Sequence, residues 1–344
     1  MENESALNPT ITVTEVTNQS GDGIGGSKTF FDIKNPSSYL LGTWLQGLKL
    51  IEENKVEYVQ KLPEEDGSLS DIIYIEELNS YLLDHSNKIY VKQIDDQGPS
   101  VFMDFSTGAC REGSSFRYSS LHKRLISIQN GNSISVINLE EKQVESSVTL
   151  DPEEFSLVDF RLFGENQDRV IALTRGGGVY LCQIDYGQKK AEVVAETKIE
   201  LTRQKKEKGF AIAVSEDNGF AFVEIEGKNK RYQEVSSRAV VLEIAEQALT
   251  QKAAVDQFEE GRGRKLAVEG AGISGNHYLW VSVTQDKIRR GQVLVFDKET
   301  GELKDLENKQ FNQIDSDPYK LYRLGGELYF VGFFGRIVKL SVAF

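Results

Sequence analysis

The sequence predicts an all-β chain built from repeats of one four-stranded antiparallel unit, and three observations lead to this prediction. Short runs of β-branched and aromatic residues alternate with polar turns along most of the chain. These runs fall into successive groups of four. In the first half the groups follow one another at about 40–45 residues, a period typical of repeats that bury their faces against neighbouring copies.

The clearest unit runs from Asp71 to Phe105. It holds four apolar runs separated by turns rich in Asn, Asp, Ser and Gly, the residues that favour tight turns. In its last run Val101 and Met103 alternate with Phe102 and Asp104, the period of a pleated strand. Further units begin near residues 30, 116, 157, 210, 266 and 319. In the fifth unit, the Ala- and Gln-rich segment Glu246 to Phe258 is expected to be partly helical.

The seventh unit offers only three strands, and one isolated strand, Thr10 to Thr17, lies near the N-terminus. If this strand supplies the missing fourth strand, the units close into a ring with short, protected edges. The sequence therefore predicts a seven-bladed β-propeller of four-stranded antiparallel blades. We assign residues 1–28 to the closing strand and a flexible Gly-rich linker, and residues 29–344 to the propeller, which forms a single domain together with the strand at 10–17.

Composition narrows the class of protein. The 344 residues carry a net charge of −13, which disfavours general nucleic-acid binding. The two cysteines, Cys110 and Cys182, are about 70 positions apart, so we expect neither a disulfide framework nor a zinc cluster. The N-terminus lacks a basic region followed by an apolar run, and no apolar stretch reaches 18 residues. We therefore expect no signal peptide, no membrane span, and a cytoplasmic or nuclear location.

The third strands of four units end alike, with an aliphatic or aromatic residue before Asp or Asn. The pairs are Ile94-Asp95, Ile137-Asn138, Ile184-Asp185 and Phe296-Asp297. They resemble the WD40 family, whose repeats close this strand with Trp-Asp, although this chain has no Trp-Asp pair and no Gly-His pair. The resemblance covers nearly the whole chain, concerns its structure, and indicates no subfamily.

No local pattern favours catalysis. His85, His122 and His277 lie in three different predicted turns, without metal-ligand spacing to each other or to a cysteine. Ser114-Ser115 lacks a Gly-x-Ser-x-Gly elbow. The stretch Gly21 to Lys28 has Ser before Lys and leads into a strand, which favours a linker over a phosphate-binding loop. We expect no enzymatic activity, no cofactor and no bound metal.

Positive charge concentrates in four loops of the second half. In chain order they are Arg203 to Lys208, Lys228 to Arg238, Arg262 to Lys265 and Lys287 to Arg290. From Thr202 to Gly291 there are 15 Lys and Arg against 13 Asp and Glu, whereas the remainder has 25 against 40. In a propeller, the links between blades and the turns between second and third strands emerge on one face, so these loops should converge. The alternative is that long surface loops are simply charged. The basic rim is Arg203, Lys205, Lys206, Lys230, Arg231, Arg262, Arg264, Arg289 and Arg290.

Aromatic residues form a second candidate surface. Trp44 and the pair Phe333-Phe334 occupy equivalent turns of the first and seventh units, which ring closure makes neighbours. Clustered exposed aromatic residues mark partner sites. In the alternative, each ring fills the gap between two blades.

These features predict a non-catalytic protein-interaction scaffold, a subunit of a larger assembly. Its partner would be an acidic or phosphorylated protein segment, since Arg pairs with carboxylate and phosphate. The alternatives are an RNA- or phosphoinositide-binding propeller, or an enzyme with a site in the central channel. RNA binding is less favoured because Tyr232 is the only aromatic residue of the basic loops. Ile288-Arg289-Arg290-Gly291 resembles the Phe-Arg-Arg-Gly motif of phosphoinositide-binding propellers, but it precedes a third strand.

Overall fold

The structure is a computed structural model in which most of the chain is described. The described residues are 10–15, 33–35, 38–43, 47–52, 55–60, 69–85, 88–93, 100–104, 115–150, 156–203, 206–228, 235–257, 264–271, 277–285, 290–307, 318–324, 327–332 and 337–343. Three features of the sequence lie outside these ranges: the predicted Gly-rich linker, Cys110 and Ser114.

Within these ranges, 28 strands, numbered β1 to β28 in chain order, form seven four-stranded antiparallel sheets. Strand β1 (Thr10–Glu15) belongs to the last sheet. Sheet 1 contains β2 (Ile33–Asn35), β3 (Ser38–Thr43), β4 (Gly47–Glu52) and β5 (Lys55–Gln60). Sheet 2 contains β6 (Leu69–Ile75), β7 (Ser80–His85), β8 (Lys88–Gln93) and β9 (Ser100–Asp104), with a short 3₁₀ helix, η1 (Glu76–Leu78), between β6 and β7. Sheet 3 contains β10 (Phe116–Ser119), β11 (Arg124–Gln129), β12 (Ser133–Asn138) and β13 (Gln143–Thr149).

The remaining sheets follow the same order. Sheet 4 contains β14 (Leu157–Phe163), β15 (Arg169–Thr174), β16 (Gly178–Asp185) and β17 (Lys190–Lys198). Sheet 5 contains β18 (Lys208–Val214), β19 (Phe220–Lys228), β20 (Val235–Ile244) and β21 (Leu249–Gln257). Sheet 6 contains β22 (Arg264–Ala271), β23 (His277–Gln285), β24 (Arg290–Asp297) and β25 (Leu303–Glu307). Sheet 7 contains β26 (Pro318–Leu324), β27 (Glu327–Gly332), β28 (Ile337–Ala343) and β1.

The strand predicted near the N-terminus is present as β1, and it pairs with the last strand of the chain. The pairing with β28 is antiparallel, and its register places Thr10 opposite Ala343 and Glu15 opposite Val338. Sheet 7 thus has four strands, of which three come from the C-terminal unit and one from near the N-terminus.

Strand β15 of sheet 4 is apolar on both faces because this sheet packs between sheets 3 and 5. In β15, Val170 and Ala172 pack in a cluster with residues of sheet 3, whereas Ile171 and Leu173 pack in a cluster with residues of sheet 5. All four are fully buried. Successive side chains of a strand point to opposite faces, so a strand covered on both faces has a continuous apolar run. Similar apolar clusters join sheet 2 to sheet 3 and sheet 5 to sheet 6.

The Asp or Asn that ends the third strand caps the turn that follows it. The Oδ1 atom of Asn138 accepts hydrogen bonds from the N–H groups of Glu140 and Glu141, at 2.9 and 3.0 Å. Asp185 and Asp297 accept the corresponding bonds in sheets 4 and 6. Four positions after each of these acceptors the backbone takes a positive φ, at Lys142, Lys189 and Gly301. The Asp or Asn that stands where WD40 repeats have the Asp of Trp-Asp therefore stabilises the turn that follows. This role does not require a preceding tryptophan.

A carboxylate on the first strand links each of two sheets to the next one. β6 and β14 both contain an irregular pairing just before an aspartate, Asp71 and Asp159. The Oδ2 atom of Asp71 accepts the N–H of Phe116 in sheet 3 at 3.0 Å, and that of Asp159 accepts the N–H of Ile212 in sheet 5 at 3.1 Å. Both aspartates are buried. Backbone groups at the start of one sheet are thus satisfied by the preceding sheet.

Glu145 is the centre of a second link, between sheets 3 and 4. Its side chain is 1 % exposed and receives two hydrogen bonds from Arg124, at 2.7 and 3.0 Å. Asn138 donates a third bond at 2.9 Å, and Lys189 of sheet 4 lies 3.3 Å away. Burial raises the pKa of Glu145, but the bonds from Arg124, Asn138 and Lys189 outweigh it and lower the pKa to about 2.

The expectation of helix in Glu246 to Phe258 is wrong. Residues Leu249–Gln257 form β21, which pairs along β20. Ala253 and Val255 are partly buried and pack against the cluster shared with sheet 6, while Ala254 between them is exposed. The tertiary partner therefore overrides the helix propensity of Ala and Gln in this segment.

Replacing Glu145 by Gln should remove stability that depends on pH. Because the folded pKa is about 2 and the ordinary value is 4.5, the contribution is complete above pH 4.5 and is lost as the pH falls through 2. The shift sets an upper limit of about 3 kcal/mol, which screening by water reduces. Urea midpoints at several pH values should show a difference between the variant and the unmodified chain that is largest above pH 4.5 and shrinks toward pH 2. The exposed neighbour Glu140→Gln is the control, and a difference that does not shrink on acidification would contradict the assignment.

Replacing Asp159 by Asn should destabilise the junction of sheets 3, 4 and 5. The change removes the buried charge that Arg161 contacts at 2.6 Å and Arg117 at 3.5 Å, and breaking such a pair costs about 3 kcal/mol or more. Asp185→Asn is the matched control, since Asn138 makes the same turn cap naturally in sheet 3. Denaturant midpoints that fall equally for the two variants would show that Asp159 does not link the sheets.

Candidate functional site

The four basic loops occupy the connections that the sequence predicts. The first and third lie in the links from β17 to β18 and from β21 to β22, and the second and fourth in the turns from β19 to β20 and from β23 to β24. In an antiparallel sheet, the turn between the second and third strands and the link to the next sheet leave at the same end. We call this the link end of each sheet, and the other end, which holds the remaining two turns, the turn end.

Of the nine basic-rim residues, Arg203 and Lys206 have described side chains, and both are exposed. They sit in one turn, where the N–H of Lys206 donates to the carbonyl of Arg203 at 3.1 Å. Arg264 and Arg290 begin β22 and β24, but their side chains are outside the description. The other five residues lie outside the described ranges altogether: Lys205, Lys230, Arg231, Arg262 and Arg289. The aromatic candidates Trp44, Phe333 and Phe334 also lie outside them.

Two further cations of this region make ion pairs with buried carboxylates. Arg238 of β20 lies 3.0 Å from Glu207, whose side chain is 4 % exposed, and it also donates to the carbonyl of Glu200. Lys208 of β18 lies 3.0 Å from Glu226, whose side chain is 2 % exposed. A second bond to Glu207, from the N–H of Thr202 at 2.7 Å, fixes the start of the same loop. Arg238 therefore holds the β17–β18 link in place against sheet 5, whereas Lys208 and Glu226 pair across β18 and β19 within that sheet.

Beside this link lies an open groove of about 420 Å³, which we call the basic groove. Its lining residues come from the start of sheet 4, the β15–β16 turn and the link: Ser156, Arg175, Gly176, Leu201, Lys206, Glu207 and Lys208. The lining side chains and their ion-pair partners include four cations and two carboxylates. The carboxylates are the buried ones, whereas Arg175 and Lys206 are exposed. The groove thus presents positive charge on a chain whose net charge is negative.

Two glycines bring Arg175 close to the link. Gly177 has φ +85°, and a Cβ there would lie 2.7 Å from the carbonyl oxygen of Ile199. A Cβ on Gly209 would lie 2.3 Å from the carbonyl oxygen of Thr174, and the N–H of Gly209 donates to the carbonyl of Arg175 at 2.9 Å. The turn and the link can approach this closely only because both positions lack a side chain. Arg175 to Gly178 is therefore a tight turn, closed by a bond from the N–H of Gly177 to the carbonyl of Thr174 at 3.1 Å.

Arg175 is a functional candidate that the sequence analysis missed. Its Gly-rich neighbours indicate only a structural turn. Its position in the chain could have identified it. A turn between second and third strands belongs to the link end, where the basic loops also lie.

No helix of the described residues is long and apolar enough to cross a membrane. Within the same ranges, no group of three or more His, Cys, Asp or Glu side chains could hold a metal ion. Of the three histidines, His122 has a described side chain. It stacks on Tyr186 with ring centroids 3.7 Å apart and hydrogen-bonds the carbonyl of Asn166 at 2.8 Å. Cys182 is buried in the core between sheets 3 and 4, and burial raises its pKa to about 12.

Comparison with known proteins identifies the fold. No family model matches the sequence, and no curated protein matches it. Among solved structures, the chain is similar to the WD40 β-propeller domain of Doa1, with a TM-score of 0.58 and 11 % sequence identity. The match covers 93 % of this chain and 94 % of that domain. At this identity the likeness concerns the fold, and it agrees with the four-stranded antiparallel sheets described above. The resemblance to the WD40 family is therefore confirmed at the level of structure: the chain is a WD40-like β-propeller.

Proposed function

We propose that this chain is a non-catalytic scaffold that binds a protein partner through the link end of its sheets, as a subunit of a larger assembly. The observation that carries the proposal is the basic groove, where Arg175 and Lys206 are exposed and the adjoining link is fixed by the ion pair of Arg238 with the buried Glu207. A charged surface on a rigid frame binds with little loss of conformational entropy. WD40-like propellers serve in general as protein-interaction scaffolds, which supports the same reading.

The partner that fits this surface is an acidic or phosphorylated protein segment. Arg and Lys pair with carboxylate and phosphate, and a positive site on a chain of net charge −13 steers such a partner toward one end. We propose that the rest of the basic rim extends the groove across sheets 5 and 6. The turns that carry Trp44 and Phe333-Phe334 belong to the link ends of sheets 1 and 7. They would add an aromatic contact on the same face.

The same proposal includes the closed shape of the scaffold. We infer that the seven sheets are seven blades of one ring, closed by β1, and that residues 29–344 and the strand at 10–15 make up a single domain. Support comes from the pairing of β1 with β28 and from the packing of each described core cluster between two consecutive sheets. A soluble cytoplasmic or nuclear location follows from this proposal as an expectation.

Removing residues 1–18 should lower the melting temperature by several degrees or cause aggregation. Without β1, the backbone groups of β28 lose their partner, and an unpaired edge strand is a template for association. Differential scanning calorimetry and light scattering measure both effects. Removal of residues 1–8 alone, which leaves β1 intact, is the control. If the chain without β1 is as stable and as monomeric as the control, β1 does not close the ring.

Reversing Arg175 and Lys206 to Glu should weaken binding of the partner and flatten its salt dependence, without lowering thermal stability. The measurement is quantitative mass spectrometry of proteins retained from native extract by the immobilised chain, at several salt concentrations. Lys190→Glu makes the same charge change at the turn end of sheet 4, where Lys190 pairs with Glu192, and is the control. A triple reversal of Arg231, Arg264 and Arg290 tests the rest of the basic rim. If retention is indifferent to salt and to both sets of reversals, the positive loops are only solvated surface charge. Retention of RNA in place of protein would favour the alternative function.

A further inference from the structure

Two identical dipeptides occupy matching positions on the first strands of sheets 3 and 4. They are Phe116-Arg117 in β10 and Phe160-Arg161 in β14. Both phenylalanines are completely buried, whereas the arginine side chains are 21 % and 16 % exposed. The repeat therefore places two partly exposed arginines side by side, near the turn end of two neighbouring sheets.

Both arginines reach the same carboxylate. Arg161 Nη1 lies 2.6 Å from Oδ1 of Asp159, and Arg117 Nη2 lies 3.5 Å from the same oxygen. The carboxylate itself is fixed by N–H bonds from Phe160 at 2.9 Å and Ile212 at 3.1 Å. One buried anion thus holds two guanidinium groups together.

Further contacts restrict both guanidinium groups. Arg117 Nη1 donates to the carbonyl of Phe116 at 2.7 Å, and its guanidinium carbon lies 5.1 Å from the centre of the Phe160 ring. Arg161 Nη1 donates to the carbonyl of Phe160 at 3.0 Å. Arginines positioned in this way lose less entropy on binding than arginines on a mobile loop.

The two arginines line a cavity of about 470 Å³ at the turn end of β10, β14 and β18. Its lining also includes the polar residues Tyr118, Gln167 and Asn218 and the apolar residues Leu162 and Val214. Burial, and then the neighbouring Glu77 carboxylate, raise the pKa of Tyr118, so its hydroxyl remains protonated at neutral pH. The cavity combines hydrogen-bond donors with two cations and lies at the other end of the sheets from the basic groove.

Acidic groups are also near, and their positions differ. Asp159 lies beneath the arginines and is buried. Glu216 belongs to the wall but is exposed, so water and salt weaken its field. Glu77 hydrogen-bonds Tyr118. A guanidinium group carries five N–H donors, so an arginine that is already paired with Asp159 can also bind a further anionic group.

Two exposed leucines lie on turns that contact residues of the cavity wall. Leu78 in η1 is 43 % exposed, and Leu121 in the turn after β10 is 59 % exposed. The contact of Glu77 with Tyr118 joins η1 to the cavity wall, and a bond from Ser119 to Gln167 at 2.9 Å joins the Leu121 turn to it. Two exposed leucines thus lie on turns that are in direct contact with the wall.

We propose that this turn-end surface is a second binding site, which takes a short peptide of a protein partner with an acidic side chain in the cavity and leucine-like side chains beside it. Arg117 and Arg161 bind the carboxylate or phosphate group of the acidic side chain. Leu78 and Leu121 cover the flanking apolar side chains. The scaffold then has two cationic sites at opposite ends, one carried by loops and one by strands, so two partners can bind it at once.

Three labelled peptides test the proposal on the intact chain. Each has the sequence Gly-Leu-X-Leu-Gly-Gly, with X as Asp, phosphoserine or Asn, and binding is measured by fluorescence anisotropy. The Asp or the phosphoserine peptide should bind about tenfold or more tightly than the Asn peptide, because the Asn side chain cannot make charged pairs with the arginines. Which of the two binds more tightly tells whether the natural group is a carboxylate or a phosphate. Failure of both anionic peptides to bind overturns the proposal.

The variant R117K/R161K keeps both charges beside Asp159 but loses the planar guanidinium groups, and affinity for the better anionic peptide should fall about tenfold. R175K makes the same change in the basic groove and should leave this affinity unchanged. Equal binding by R117K/R161K and the unmodified chain, or an equal loss in R175K, overturns the assignment. Leu78→Ser with Leu121→Ser should weaken all three peptides without altering the preference for an anion.

A measurement on the unmodified chain guards against variants that fold poorly. The NMR signals of the Arg117 and Arg161 Nε–H groups, assigned from the single Lys variants, should shift on addition of the anionic peptide and stay unchanged with the Asn peptide. Shifts confined to other arginines would place the peptide elsewhere and overturn the proposal.

Discussion

The hydrogen bond from the backbone of one sheet to a buried aspartate of the sheet before it is the contact on which this architecture depends. Apolar packing between sheets is strong but not directional, so by itself it leaves the relative height of two sheets poorly defined. Asp71 and Asp159 define it, because each accepts an N–H group of the next first strand while staying bonded to its own. Sheet 3 uses a serine in the equivalent place: Ser115 donates to Asp84 of sheet 2 at 2.6 Å. A buried carboxylate is costly to leave unpaired, so these contacts also penalise a slipped arrangement.

The two ends of the sheets acquire different chemistry from this frame. At the link end the backbones approach so closely that Gly177 and Gly209 are required, and long charged loops occupy the remaining space. At the turn end, short turns capped by Asn138, Asp185 and Asp297 leave the first strands accessible, together with the arginines that Asp159 holds. The basic surface at one end depends on loops, whereas the cationic cavity at the other depends on strands. Strand-borne groups are the more rigid of the two.

The fold was largely predictable because its signals are local. Four apolar runs per unit, and an Asp or Asn after the third run, mark strands and turns without knowledge of the partners. The segment Glu246 to Phe258 shows where this fails, since Ala253 and Val255 become strand residues only through their packing against sheet 6. The candidate sites were less predictable. Arg175 lies in a turn that the sequence describes only as Gly-rich. Arg117 and Arg161 are 44 positions apart in the chain, and only the contact between sheets brings both to Asp159.

The pairing of β1 with β28 has a consequence for biosynthesis. Thr10 and its partner Ala343 are separated by nearly the whole chain, and at about 5–20 residues per second translation needs roughly 15–70 s to supply the partner strand. During that time β1 has no sheet to join. Its sequence, Thr-Ile-Thr-Val-Thr-Glu, alternates polar and apolar side chains, and a half-polar strand is less prone to associate with other nascent chains than a fully apolar one. Of the described strands, β1 is synthesised first and its partner β28 last, and the composition of β1 suits the delay.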